Sequence, residues 1–274
     1  MMRIESGGIG RTLEEIYERY NDRSYVGSDP IGFLYRYDLM EDREIAALVC
    51  SSLAYGNIKQ IEKSIKQVLD IMGDSPRSFV MGSTDRSLEY SFAGVKHRWT
   101  TGEDISRLLS GVRKAVRSHG TIEKCFMSGH DCGDEDIVPA LTRFVDELTC
   151  GEPDRLSPSP CKGSACKRWN LFLRWMVRKD RVDPGGWEGI RPAQLLVPLD
   201  THMFKVCTGM GMSDRKTANL EATRDITNAF RKISPDDPVK YDFALTRISM
   251  GRNEGQEGAL YRLLTGGGGA AEAL

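Results

Sequence analysis

Two side chains able to act together on a polarised bond stand 33 positions apart in this chain, a lysine at 167 and an aspartate at 200. Asp200 lies in LLVPLDTHMFKVCTGMG (195–211), directly after an apolar run and Pro198. That context places it at the mouth of a helix, where an aspartate accepts backbone N–H bonds and is held ionised and aimed by the helix N-terminus. Lys167 follows the turn GSAC (163–166) and opens an apolar helix. An ammonium beside a hydrophobic wall loses proton affinity, and this is how an amine becomes a nucleophile near neutral pH. His202 sits two residues beyond Asp200, faces a different side of the same helix, and reads as structural. Asp200 and His202 as metal ligands would make a metal-dependent hydrolase, but the chain has only 4 histidines and no further ligand cluster at metal spacing nearby. Asp242, in the segment YDF, is a second buried-acid candidate that would order a cleft or cap a neighbouring helix.

The chain that must position these groups has 274 residues, enough for one large domain or two modest lobes around a substantial core. Its 38 Lys and Arg balance 39 Asp and Glu, a formal charge of -1, so no global field points to nucleic acid or to a membrane. An anionic partner must be met by a local patch. The 7 cysteines form no CxxC pair and no finger spacing, which argues for reduced thiols and against zinc or an iron-sulfur cluster. No cofactor is expected. The first residues, MMRIESGGIGRTLEE, lack the apolar core of a signal peptide, and no run approaches the roughly 18 apolar residues of a membrane span. A cytoplasmic protein is the default expectation, and a monomer likewise.

Nearly every periodic segment carries the helical period and strict alternation is almost absent, so the fold class is all-α. Thr12 and Glu15 form a capping-box pattern that predicts a first helix over 13–21, followed by a turn at Ser28–Pro30. Ile45, Leu48, Val49 and Leu53, then Ile58, Ile61, Ile65, Val68, Leu69 and Met72, predict two helices broken at Gly56. Amphipathic stripes recur at Ile105–Val116 and Ile137–Leu148. The stretch 150–164, CGEPDRLSPSPCKGS, reads as a loop that divides the chain near its middle. After it, KRWNLFLRWMVRK is apolar almost all round and describes a helix buried on most sides. Further helices are expected over 217–230 and 238–248, the second with Asp237 as N-cap and Pro238 in its first turn. The tail TGGGGAAEAL is expected to be disordered.

Between Lys162 and Arg191 eight basic residues (Lys162, Lys167, Arg168, Arg174, Arg178, Lys179, Arg181, Arg191) face three acidic ones (Asp180, Asp183, Glu188), a local excess of +5. Such an excess either faces phosphates or forms ion pairs on a solvated helix face, and the second reading is the more economical for the segment alone. The spacing of Trp169, Phe172, Trp175 and Phe204 matches burial, with one of them available to line a pocket edge.

The segment LDTHMFKVCTGMG resembles an element of the helix-hairpin-helix DNA glycosylase superfamily, which includes endonuclease III and the 8-oxoguanine glycosylases. In that superfamily a hairpin with a small glycine-rich turn is followed, in bifunctional members, by a lysine and then by a V-D-T-H-like segment with an essential aspartate. Gly163, Ser164, Ala165, Cys166 and Lys167 resemble the hairpin turn and its lysine, with Ala165 in place of the usual second glycine. The interval from Lys167 to Asp200 is similar to that of the archaeal 8-oxoguanine branch. IAALVCSSLAYGNIKQIEKS is similar to the helix and turn that push a side chain into the DNA stack, which places Tyr55, Asn57 and Gly56 in that turn. PVKYDFALTRISMGR resembles the helix before the iron-sulfur loop of endonuclease III, but no cysteine follows Cys207. The likeness spans 42–252 and is strongest over 163–211. GSACKRWNLFLRWMVRKD, PLDTHMFKV and DDPVKYDFALTR together also resemble a family of uncharacterised bacterial and archaeal proteins placed in this superfamily.

The resemblance implies a single glycosylase-like unit over 1–265, made of two helical lobes with a cleft between them. One lobe would cover about 42–150; the other would combine 1–41 with 160–265 and carry the hairpin, leaving 266–274 as the tail. It implies double-stranded DNA with a modified base as partner, flipped into a pocket and cut at its N-glycosidic bond. Asp200 would stabilise the oxocarbenium-like sugar. Lys167 would attack C1' and permit β-elimination, or, turned to phosphate, leave Asp200 to activate water. Gly163, Ser164, Lys162, Arg168, Tyr55 and Asn57 would contact DNA, and His202, Asp242 and Trp169 would lie at the cleft. The alternative is a non-catalytic DNA-binding or damage-sensing helical protein.

Overall fold

The structure is a computed structural model that describes residues 6–27, 29–251 and 255–265. Ser28 of the expected turn, Arg252 and the expected tail over 266–274 lie outside the described residues. The helical period is realised as thirteen α-helices among the described residues: α1 (Ser6–Tyr20), α2 (Met40–Ser52), α3 (Ile58–Met72), α4 (Pro76–Gly82), α5 (Asp85–Phe92), α6 (Gly102–His119), α7 (Ile122–Met127), α8 (Val138–Thr149), α9 (Lys167–Val177), α10 (Thr201–Gly209), α11 (Leu220–Arg231), α12 (Asp242–Met250) and α13 (Gly255–Leu264). Among the described residues the regular structure is helical but for one small antiparallel hairpin, β1 (Lys96–His97) with β2 (Thr100–Thr101). No helix among the described residues is long and apolar enough to cross a membrane.

Side-chain caps set many helix starts. Asn57 accepts from Lys59 N at the head of α3, Thr101 and Asp104 form a capping box on α6, and Asn219 accepts from Ala222 N on α11. Two expected starts are corrected. The first helix begins at Ser6, not Leu13, because the Thr12 hydroxyl donates back to the Gly8 carbonyl inside the helix rather than capping it. The helix expected from Pro238 begins at Asp242, because the Asp237 carboxylate is drawn to the Arg178 guanidinium and is not free to cap.

α2 to α8 form a contiguous layer, with α6 laid against α4, α5, α7 and α8, and α2 against α3, α4 and α7. Leu148 in α8 approaches α6 so closely that a Cβ at Gly111 would meet its carbonyl oxygen at 2.0 Å, so only glycine permits this crossing. A second group joins ends of the chain distant in sequence: α1 packs on α12, and α10, α12 and α13 pack on one another. α9 lies on α2, and its Arg174 pairs with Asp242 at the head of α12 in the second group. From Trp169 to Val177 every residue of α9 is buried, which is what an apolar circumference requires. One continuous hydrophobic cluster runs through both groups.

Candidate functional site

α9 and α10 enter the site from their N-termini. Cys166 takes a left-handed conformation (φ 46°) after Gly163 (φ 76°), and this double reversal turns the loop into α9 so that Lys167 is its first residue. The loop is fixed from the other side, since Leu220 N donates to the Gly163 carbonyl and Ser164 bridges to Asn219. Ahead of the turn stands only a single 3-10 turn, Pro160–Lys162. Asp200 caps α10 as its sequence context predicts: Oδ1 accepts from His202 N at 2.9 Å and from Met203 N at 2.8 Å.

The second oxygen of Asp200 is therefore left for other work. Oδ2 lies 3.7 Å from Lys167 Nζ, and that amine also donates to the Ala54 carbonyl at 3.2 Å. Both side chains are about one-third exposed and face one solvent-open cleft. Ile58, Ile61, Leu171 and Phe243 give the cleft an apolar wall; Asp242, Arg174 and the ion pair of Asp29 with Arg247 (2.6 Å) give it a polar floor. The amine and carboxylate thus face the same space, within reach of one bound group.

Asp242 is buried at that floor, paired to Arg174 Nη1, and Arg174 in turn holds Asp183 at 2.9 Å. Burial pushes the Asp242 carboxyl up to about 6; Arg174 opposes this, the charge of Asp200 adds to it and that of Lys167 subtracts. Asp242 is buried, as expected of it, and lines the cleft. Arg174 was not singled out for a role, and its position on an otherwise apolar helix was the available signal. A charge there must be paired, and its partners are Asp183, nine residues on, and Asp242, 68 residues on.

Part of the local basic excess is turned inward or held in ion pairs. Arg174 and Arg178 are buried, and Arg178 binds Asp183, Asp180 and Asp237, the last two at 2.9 Å. Arg181 pairs with Glu18, and Arg191 donates to the Cys132 carbonyl. Arg168 is likewise committed internally: its guanidinium donates to the carbonyls of Ser52 and Arg155 and stacks over Tyr55 at 5.3 Å. Lys162 and Gly163 are exposed beside the α9 N-terminus, where no side chain caps the free N–H groups, and Ser164 Oγ accepts from Cys166 N.

Tyr55 and Asn57 sit in the turn between α2 and α3, whose Ala54 carbonyl holds Lys167. Asn57 is exposed and caps α3; the Tyr55 hydroxyl donates to the His97 carbonyl at 2.9 Å and shares a bond with Thr100 Oγ1 at 2.7 Å. His202 does not line the main cleft. It borders a smaller neighbouring one that shares Asp200, with Met203, Thr246 and Met250. Trp169 is corrected: it is 2 % exposed, set edge-on to Phe144, and donates from Nε1 to the Pro158 carbonyl, so it belongs to the core and not to the cleft wall. All seven cysteines are free, and Cys207, behind the Asp200 helix, is buried with its thiol raised far above the usual range.

No curated protein and no solved structure matches the chain. Residues 29–251 match a family described as a protein of unknown function, DUF2400, and this span takes in Lys167, Asp200, Asp242 and the turn at Tyr55. On that match over most of its length, the chain belongs to the DUF2400 family.

Proposed function

We propose that this protein is a DNA base-excision glycosylase with associated lyase chemistry, built on a two-lobed helix-hairpin-helix plan. The observation that carries the proposal is the approach of Lys167 Nζ to Asp200 Oδ2, 3.7 Å, across a cleft with an apolar wall. In the proposed reaction a damaged nucleotide is turned out of the stack into that cleft. As the C1'–N bond lengthens, positive charge grows on the sugar and the Asp200 carboxylate stabilises it. The Lys167 amine adds to C1' while the base departs with the bonding pair. Asp200 takes the proton that the new C–N bond releases and returns it to O4' as the C1'–O4' bond breaks, which gives a ring-opened imine; loss of a C2' proton then expels the 3'-phosphate by β-elimination.

Several arrangements support this reading. The two packing groups agree with two lobes, and the cleft is lined by Ala54, Ile58 and Ile61 from the first group, by Lys167, Leu171 and Arg174 of α9, and by Asp200 and α12 from the second. The exposed Lys162 and Gly163 and the uncapped N–H groups of α9 present phosphate-binding chemistry one turn from the amine. The test is a panel of duplex oligonucleotides, each carrying one oxidised, deaminated or alkylated base. Excision of at least one is expected; binding without excision across the panel would favour a damage-sensing protein instead.

A further inference from the structure

Next to Ala54 of the cleft lining, Tyr55 supports an aromatic group that the proposed chemistry does not use. Trp99 sits at the tip of the β1–β2 hairpin, 39 % exposed, with its ring stacked on Tyr55 at 4.7 Å and an interplanar angle of 19°. The Arg168 guanidinium lies over both rings, 5.3 Å from Tyr55 and 5.4 Å from Trp99. Trp169, Trp175 and Trp187 are each 3 % exposed or less, so Trp99 is the accessible one of the 4 tryptophans.

The platform is rigidly held. Nε2–H of the His97 ring donates to the Tyr55 carbonyl at 2.9 Å, and Nδ1 accepts from Ser64 of α3 at 3.0 Å; burial lowers the affinity of this ring for a second proton. The Tyr55 hydroxyl closes the other side on His97 and Thr100. At the tip Arg98 adopts φ 54°, a strained conformation for a residue other than glycine, and its methylenes lie over Gly56 so closely that a Cβ there would come within 2.7 Å. The same turn supplies the Ala54 carbonyl to Lys167 and the Ser52 carbonyl to Arg168, so the stack is fixed to the amine's position by adjacent residues of α9.

We propose that the outer face of Trp99 is a stacking site for an unpaired nucleobase of DNA next to the cleft, with the exposed Lys96 and Arg98 facing the flanking phosphates. An indole face is sequence-tolerant because every base presents a π-surface, and two exposed cations on the same hairpin match a phosphodiester strand. This rests on the DNA reading of the cleft but needs no bond to be cut.

The test uses the full chain with a duplex carrying a tetrahydrofuran abasic analogue, which leaves a base unpaired and offers Lys167 no aldehyde. Titration is followed by tryptophan emission and iodide quenching. Emission is expected to fall and iodide access to Trp99 to be lost at saturation. Trp99→Phe should keep the affinity and lose the signal; Trp99→Ala should weaken Kd about ten- to a hundredfold, with its melting temperature compared to show that the fold persists. Unchanged emission at saturation, no binding, or Trp99→Ala binding within twofold of wild type overturns the site. If no lesion is excised but the Trp99 signal remains, the glycosylase reading fails and the stacking site stands.

Discussion

Replacing Asp200 by Asn separates two roles that one carboxylate holds. Oδ1 carries the cap, accepting from His202 N and Met203 N, and an Asn Oδ1 can do the same at a cost of a few tenths of a kcal/mol. What Asp200→Asn removes is the charge beside Lys167, 3.7 Å away. That pair is about one-third exposed, so its loss should cost stability no more than about 1 kcal/mol. Asp200→Ala also removes the cap and should cost roughly 1 kcal/mol more. For the reaction the arithmetic differs. A carboxylate about 4 Å from a sugar that gains positive charge stabilises it by about 4 kcal/mol at an effective dielectric of about 20, a factor of about a thousand in rate. Single-turnover excision on the responsive duplex, beside thermal melts of both variants, reads the two effects apart. The expected result is a near-wild-type melting temperature and a thousandfold slower excision for Asp200→Asn. Excision within tenfold of wild type would refute the electrostatic role, and Asp200→Asn as unstable as Asp200→Ala would refute the division of labour between the oxygens.

Two further outcomes follow from the interior. Arg174→Leu strands Asp242 at the cleft floor and should cost about 3–5 kcal/mol, or roughly 6–20 °C in melting temperature. Adding Asp242→Leu should recover part of that loss, which a double-mutant cycle in denaturant measures. Glu44 is buried with its carboxyl accepting from Ile122 N and Glu123 N, and burial pushes its pKa up to about 7 from 4.5 against the opposing pull of those N–H groups. The folded state then holds more protons than the unfolded one between these values, so stability falls as pH rises through that window and levels off above about 7. The difference in unfolding free energy between pH 4.5 and 7.5 should contain roughly 3 kcal/mol that Glu44→Gln removes; an identical pH slope in the variant would contradict the assignment.

The helices were legible because each buries one stripe, or in α9 a whole circumference, and the 3.6-residue period records that burial directly. Asp200 as an N-cap was legible for the same local reason. The β1–β2 hairpin was not, since two-residue strands are too short to show alternation, and Trp99 went unremarked with it. Asp237 misled because capping and ion pairing compete for one carboxylate, and the competing Arg178 lies 59 residues away in sequence. For the basic run the more economical reading, ion pairing, agrees with the structure, but its partners were not legible, because a count of charges cannot show which backbone carbonyls and distant aspartates satisfy each one. The approach of Lys167 to Asp200 depends on how α9 and α10 are brought together through α2 and α12, and no local pattern encodes it. Only the resemblance suggested it.

The central claim is that the Lys167 amine attacks C1' beside Asp200. Borohydride trapping on duplex DNA with a natural abasic site tests it most directly, because reduction of an imine leaves a covalent protein–DNA complex. Wild type should give that complex, Lys167→Gln should give none while still binding the duplex, and peptide mapping should place the adduct on Lys167. A complex of undiminished yield in Lys167→Gln, or none in wild type, would contradict it.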